Sequence, residues 1–397
     1  MKLNHIYKSI ACGVLLAMTA TSCDLDYNPV DTYSDVTEGV NKTDEKPIFN
    51  SVQDVETSMV TLHKKFRDRQ EHWYVDKLLI GDAHSDNAYA GTTGAEVVPY
   101  ETNSIEGSNS VLKRDWDRFL GDIAVANRII VGCDQLKALS ESERGKYQSQ
   151  AKIFRAMVMF DMVRLWGNFP VITTVGGDIT EDNVEEMYPT YFPPQNTAEE
   201  AYAQIEKDLT EAVENPNTPT NDTSDKSILT KSVARAMLAK VYAEKPLRDY
   251  AKVIKYADEL AADGFDLVED FSDLWAYDTE KKDCRVRNTK EAILEAHFPP
   301  GSGNWCTWMF GRNLSNWDES FTWAKWITPS RDLIRLYEEQ GDTKRYNESV
   351  VWYDCGWSNY YPADHYAFMY KCRSAFNSII YLRYADIPVS YTHLTLP

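Results

Sequence analysis

Residues 151–173 read AKIFRAMVMFDMVRLWGNFPVIT, and this stretch decides how the rest of the chain is taken. Ile153, Phe154, Met157, Val158 and Met162 recur at helical spacing, and Phe160, Leu165 and Trp166 widen the apolar stripe. A helix apolar over so much of its girth is expected between other helices rather than on a surface. Arg155, Asp161 and Arg164 interrupt it. Asp161 lies six residues after Arg155, beyond helical pairing distance, so a partner for Arg155 must come from elsewhere in the fold; Arg164, at i+3 from Asp161, is placed to pair locally. Gly167 provides a stop and Pro170 prevents the helix from resuming.

Helical signals extend on both sides. Ser140 or Ser142 is positioned to cap this helix, which is expected to begin near Glu143. Upstream, Trp116, Phe119, Leu120, Ile123, Asn127 and Ile130 share one helical face. Val55, Met59, Leu62 and Phe66 give a first helix from about Ser51. Downstream, Thr197 with Glu200 forms a capping box that opens a helix to about residue 214. Two more helices follow at roughly 231–245 and 250–262, the former lined by Ala234, Ala236, Ala239 and Ala243, small residues that let helices approach closely. Asp263-Gly264 closes the latter with a left-handed cap. From Lys290, EAILEAHF predicts a short strand, and 328–339 a further helix. The expectation is a mainly α fold of helix pairs with a loop-rich, aromatic-rich C-terminal region and little β structure.

The order A-x-x-F-R-A-x-x-x-F-D-x-V-R-L-W-G-x-x-P closely resembles the signature of the SusD/RagB family, surface glycan-binding lipoproteins of Bacteroidetes built on tetratricopeptide-like helix pairs. W-x-x-F-x-x-x-I-x-x-x-N from Trp116 to Asn127 resembles the family helix that precedes it, and Leu382-Arg383-Tyr384-Ala385-Asp386 a second family signature. In the family that second motif runs on into a long helix. Here Pro388 stops it, since proline removes a backbone donor and clashes with the preceding turn, so residues 388–397 are expected to be a non-native tail on a truncated chain. The resemblance implies non-catalytic binding of oligosaccharides at the outer cell surface and delivery to a SusC-like TonB-dependent transporter.

The N-terminus fits that implication. Lys2 and Lys8 precede an apolar run from Ile10 to Ala20, too short to span a bilayer and suited to a signal peptide over residues 1–22. Ala20-Thr21-Ser22-Cys23 resembles a lipobox, with Ala20 where leucine is usual, making Cys23 the expected lipidation site and membrane anchor. Residues 23–50 read as a tether, 51–289 as the helical scaffold and 290–387 as the ligand-binding region.

The chain carries 61 acids against 42 bases, a formal charge of −19, with no basic cluster interleaved with aromatics. Nucleic acid is therefore not expected as a partner, because phosphate contacts supply most of that affinity. Seven cysteines include no C-x-x-C pair, so no zinc site is indicated, and no cofactor is implied. Asp82, His84 and Asp86 alternate in the loop LLIGDAHSDNAYAGTTG (78–94). Without a downstream bidentate acid they read as turn residues rather than a cation site.

Seven of the eleven tryptophans lie between Trp305 and Trp357, among glycines, asparagines and serines that break helix. An indole stacks under the C–H face of a pyranose while amides and acids bind its hydroxyls. Trp305, Trp308 and Trp317 are the candidate platforms, with Asn304, Arg312 and Asn316 beside them; about half the aromatic rings of this region are expected to be core. The family resemblance adds Asp86, Asn87 and Tyr89. Two other functions stay open. A glycoside hydrolase needs two carboxylates at a set separation, which 61 acids always offer somewhere, and no G-x-S-x-G, H-E-x-x-H or Walker string is present. A helical-repeat adaptor would instead use a concave helical surface.

Overall fold

The computed structural model describes residues 47–91, 96–177, 179, 183–244, 246–278, 280–281, 283–298, 303–305, 327–355 and 359–387. The signal peptide, Cys23, most of the tether and the tail lie outside them, as do Trp308, Arg312, Asn316 and Trp317.

The helices are α1 (Val52–Asp68), α2 (Ser110–Gln135), α3 (Glu141–Trp166), α4 (Val184–Tyr191), α5 (Ala198–Glu214), α6 (Lys231–Ala243), α7 (Tyr250–Ala262), α8 (Arg331–Gln340) and α9 (Thr343–Ser349), with shorter helical turns between them. α3 is the central one, packed on α1, α2, α5 and α6. Its eight residues from Ile153 to Phe160 are all buried, as its all-round apolar sequence requires. It starts two residues before the expected position: Ser140 is the N-cap, accepting from the Glu143 N–H while the Glu143 side chain returns to the Ser140 backbone. It ends at Gly167, whose φ of +73° suits a residue without Cβ.

Arg155 finds the tertiary partner that its spacing demands. Its guanidinium donates to both carboxylate oxygens of Asp208 on α5, at 2.8 and 2.7 Å, and to Asn127 Oδ1 on α2 at 2.7 Å. Asn127 in turn donates to the carbonyls of Ile172 and Thr174. One buried cation thus fastens three helices and the loop after the signature. Arg164 does not pair locally: it bonds Glu244 at 3.1 Å, while Asp161 takes Lys77.

The alanines Ala234, Ala236 and Ala239 of α6 are buried against its neighbours, and α7 ends at Asp263 with Gly264 at φ +93°. Four two-stranded antiparallel ladders complete the described structure: β1 (Ala88–Ala90) with β5 (Ile327–Pro329), β2 (Tyr277–Asp278) with β3 (Asp283–Cys284), β4 (Ala292–Ala296) with β8 (Ile379–Arg383), and β6 (Val350–Tyr353) with β7 (Tyr366–Met369). The strand expected after Lys290 is β4. The helix expected from Thr328 begins instead at Arg331, capped by Ser330, because Ile327–Pro329 is drawn into pairing with β1. The main hydrophobic cluster draws on both sides of residue 290, joining Phe154, Ile205 and Val233 to Ile293, Phe298 and Leu382.

Candidate functional site

The loop that resemblance singled out is assembled by the cap of α8. Residues Glu71–Val75 and Leu79–Ala83 form π-type turns around a short α segment, bringing Asp82 to the end of that run. The Asp82 carboxyl lies above the usual range because it is removed from water. Ser330, the N-cap of α8, donates its hydroxyl to the Asp86 carbonyl and its N–H to the Asn87 carbonyl at 3.0 Å. Its Oγ also accepts from the Leu333 N–H at 3.0 Å. Asp86 and Asn87 are thus held by their backbones at the exposed entrance to β1.

Tyr89 follows, half-buried, paired in register with Thr328. Its ring stacks on Tyr360, centroids 4.5 Å apart and planes 10° from parallel. Tyr360 donates its hydroxyl to Glu101 Oε2 at 2.6 Å, and the same oxygen accepts the Ala90 N–H at 2.7 Å. Tyr89 Oη accepts from the Arg331 N–H at 3.2 Å. The Arg331 guanidinium bonds the Tyr360 carbonyl and lies 4.8 Å from the centre of the Tyr361 ring. On the adjoining hairpin, Trp352 stacks on exposed His365, 4.1 Å apart and 3° from parallel. Burial raises Tyr360 and Tyr361 well above the ordinary phenol range and pushes Tyr366 up to about 12, so these rings stay neutral at physiological pH.

The shelf therefore offers stacked, uncharged rings with exposed Asp86, Asn87, Arg331 and Asn359 around them. Such a surface binds flat C–H faces and hydroxyls. Glu101 is already engaged by two donors. Asp76 and Asp115, two neighbouring carboxylates, are only 0 % and 1 % exposed, where no polymer reaches them. Among the described residues no group of three or more His, Cys, Asp or Glu is arranged to hold a metal ion, in the Asp82–Asp86 loop or elsewhere.

Asn304 and Trp305 lie apart from this shelf. Trp305 packs against the main core, whereas Tyr89 and Tyr360 pack against a second cluster around Tyr366 and Phe368. Asn304 is 3 % exposed, and its amide donates to the carbonyls of Ser374 and Asn377 at 3.1 and 2.7 Å. Its geometry is that of a brace rather than of a group facing solvent. Trp305 is half-buried, and its backbone N–H donates to Gln70 Oε1 at 2.7 Å. Trp308, Arg312, Asn316 and Trp317 lie in the sequence between Trp305 and Ile327, and the strand partner of Ile327, Ala90, adjoins Tyr89. Tyr360, Arg331 and His365 have no place in the site as read from sequence, since nothing in their spacing relates them to Tyr89.

The fold and this geometry can be set beside known proteins. A family model described as "Starch-binding associating with outer membrane", of the SusD-like group, matches residues 33–243. The chain belongs to the SusD-like family. A SusD-like protein of Bacteroides ovatus is 25% identical over 309 residues, covering 75% of this chain and 50% of the relative. This SusD-like chain thus spans about half the length of the curated relative it matches. Among solved structures, a laminarin binding SusD-like protein aligns with a TM-score of 0.66 at 18% identity, over 87% of this chain and 80% of the other. Surface glycan-binding protein A from Bacteroides uniformis aligns at 0.68 and 16% identity, over 87% and 76%. At such identities the structural matches speak for the mainly α SusD-like fold. No helix among the described residues of this family member is long and apolar enough to cross a membrane.

Proposed function

We propose that this SusD-like chain binds oligosaccharides without cleaving them, at the outer face of the outer membrane, and passes them to a SusC-like TonB-dependent transporter. The observation that carries the binding reading is the Tyr89–Tyr360 stack rimmed by Asp86, Asn87 and Arg331. Neutral rings offer a pyranose its apolar face, and the rim offers donors and acceptors to its hydroxyls. Trp305, Trp308 and Trp317, with Arg312 and Asn316, would extend this surface along the segment between Trp305 and β5. Asn304 would shape the start of that segment.

Membership of a family described as starch-binding and outer-membrane associated supports the ligand class and the location. The two structural neighbours, one a laminarin binding SusD-like protein and one a surface glycan-binding protein, point the same way. The leader and Cys23 supply an anchor, and a surface tether raises the local concentration of a modest-affinity site. The test is electrophoresis of the purified protein through gels containing neutral polysaccharides, with a parallel assay for new reducing ends. Retardation without release of reducing ends is the expected result. Release would make the protein a hydrolase, and failure to be retarded by any polysaccharide would end the reading.

A further inference from the structure

Away from the tyrosine shelf, an open groove of about 660 Å³ runs between α1, α3 and the segment Pro219–Ile228. Its floor is apolar: Met59 from α1, Tyr147 from α3 and Ile228 from the loop. Its rim is polar but close to neutral. Thr220 and Thr223 stand exposed on the loop, while Gln150 on α3 is buried, its Oε1 on the His63 ring at 3.0 Å and its Nε2 donating to the Lys146 carbonyl at 3.1 Å. Burial keeps His63 below the usual imidazole range and so toward its uncharged form. Lys146 places its ammonium 5.7 Å from the centre of the Tyr147 ring, and Asp222 supplies an opposite charge on the loop side.

The loop wall is built rather than slack. Buried Lys226 donates its ammonium to Asn221 Oδ1 at 2.5 Å and lies 4.5 Å from the centre of the Phe265 ring. Its backbone N–H reaches Asn288 Oδ1 at 2.9 Å, and Asn288 donates back to the Ser224 carbonyl at 2.6 Å. Asn221 is fixed further by a bond to the Asp263 carbonyl at 3.3 Å. A wall braced from β3–β4 and the end of α7 keeps its shape when empty, which lowers the entropy lost on binding.

We infer that this groove is a second carbohydrate site, one that takes a short segment of a neutral oligosaccharide. The inference rests on the glycan-binding reading above. The volume falls within the range of small-ligand sites and exceeds the needs of a single sugar ring. An apolar floor under the exposed threonine hydroxyls suits pyranose rings, and the near-balance of charge gives neither an anionic nor a cationic ligand an advantage. Two modest sites on one chain reinforce each other on a polymer long enough to reach both, because the second contact is made at high effective concentration.

The test uses the full chain in affinity gels of starch, laminarin, galactomannan and xyloglucan. Thr220→Trp, at an exposed position, plugs the groove; Lys146→Ala trims its rim; Tyr89→Ala with Tyr360→Ala disables the shelf. For a polymer that retards the parent, Thr220→Trp is expected to weaken binding about threefold or more with an unchanged melting temperature, and Lys146→Ala to weaken it in the same direction. If neither groove variant alters retardation by any polymer while the shelf variant does, the groove inference is overturned and the proposed function stands. If the parent is retarded by none, both fall.

Discussion

Replacing Arg155 by alanine is expected to be among the more damaging single changes in this chain, for reasons that can be worked through. Arg155 and Asp208 are 4 % and 1 % exposed, and the guanidinium makes three bonds, two to Asp208 and one to Asn127. Without it, Asp208 keeps the amide of Gln204 at 2.9 Å, and a carboxylate is left in a dry site. Breaking such a pair from one side costs about 3–5 kcal/mol, because the remaining charge is buried without its counterion. The unit formed by residues 47–397 should carry an unfolding entropy of roughly 0.7 kcal/mol per kelvin. The melting temperature should therefore fall by on the order of 4–7 °C. The assay is thermal unfolding followed by circular dichroism for Arg155→Ala, Asp208→Ala and Arg155→Met with Asp208→Leu. The double variant, with both charges removed and their volume refilled, should recover much of the loss. A loss below about 1 kcal/mol in the single variants, or a double variant as poor as the worse single, would refute the claim that the pair acts as one unit. Polysaccharide retardation of Arg155→Ala well below its melting temperature should match the parent, since neither member of the pair touches the tyrosine shelf.

Asp115→Asn tests the buried acid pair. Burial and the neighbouring Asp76 raise Asp115, with Arg114 and Arg118 opposing, so the folded state keeps a proton that the unfolded chain releases. Stability then declines as pH rises above the ordinary carboxylate range, and Asn, which needs no proton to stay uncharged, should be more stable than the parent at pH 8 and close to it at pH 4; the opposite order by denaturant titration would reject the protonated Asp115. At Gly167 a Cβ would meet no atom within 4 Å, so Gly167→Ala should cost only the backbone strain of φ +73°, on the order of 1–3 kcal/mol, measured by the same melts. On the proposed function, Tyr89→Ala should weaken polysaccharide binding by on the order of 1–3 kcal/mol, with Tyr89→Phe much nearer the parent because it keeps the stacking ring. Equal losses for the two, read in affinity gels, would move the site elsewhere.

Much of the scaffold was legible before any coordinates. Ser140 and Glu143, Thr197 and Glu200, and Gly167 and Gly264 mark helix ends through interactions between residues three or four apart, so their meaning is carried by adjacent sequence. The boundary at Thr328 shows where this reading stops. Thr328-Pro329 looks like a helix start, yet its backbone is claimed by β1, far away in sequence, and the cap moves to Ser330. The site was less legible. Tyr89 was singled out by resemblance alone, and its stacking partner Tyr360 is one of 24 tyrosines.

By itself the sequence determined the central helix, its caps, the alanine-lined helix pairs around it and the need for a distant partner for Arg155. These follow from periodicity and short-range hydrogen bonding, which neighbouring residues specify on their own. Only the tertiary structure decided that Asp208 is that partner among 61 acids, that Arg164 turns to Glu244, that Asn304 is a brace and that Tyr89 meets Tyr360. A charge or a ring accepts many partners of its type, and the one it meets is selected by which chain segments the core brings together.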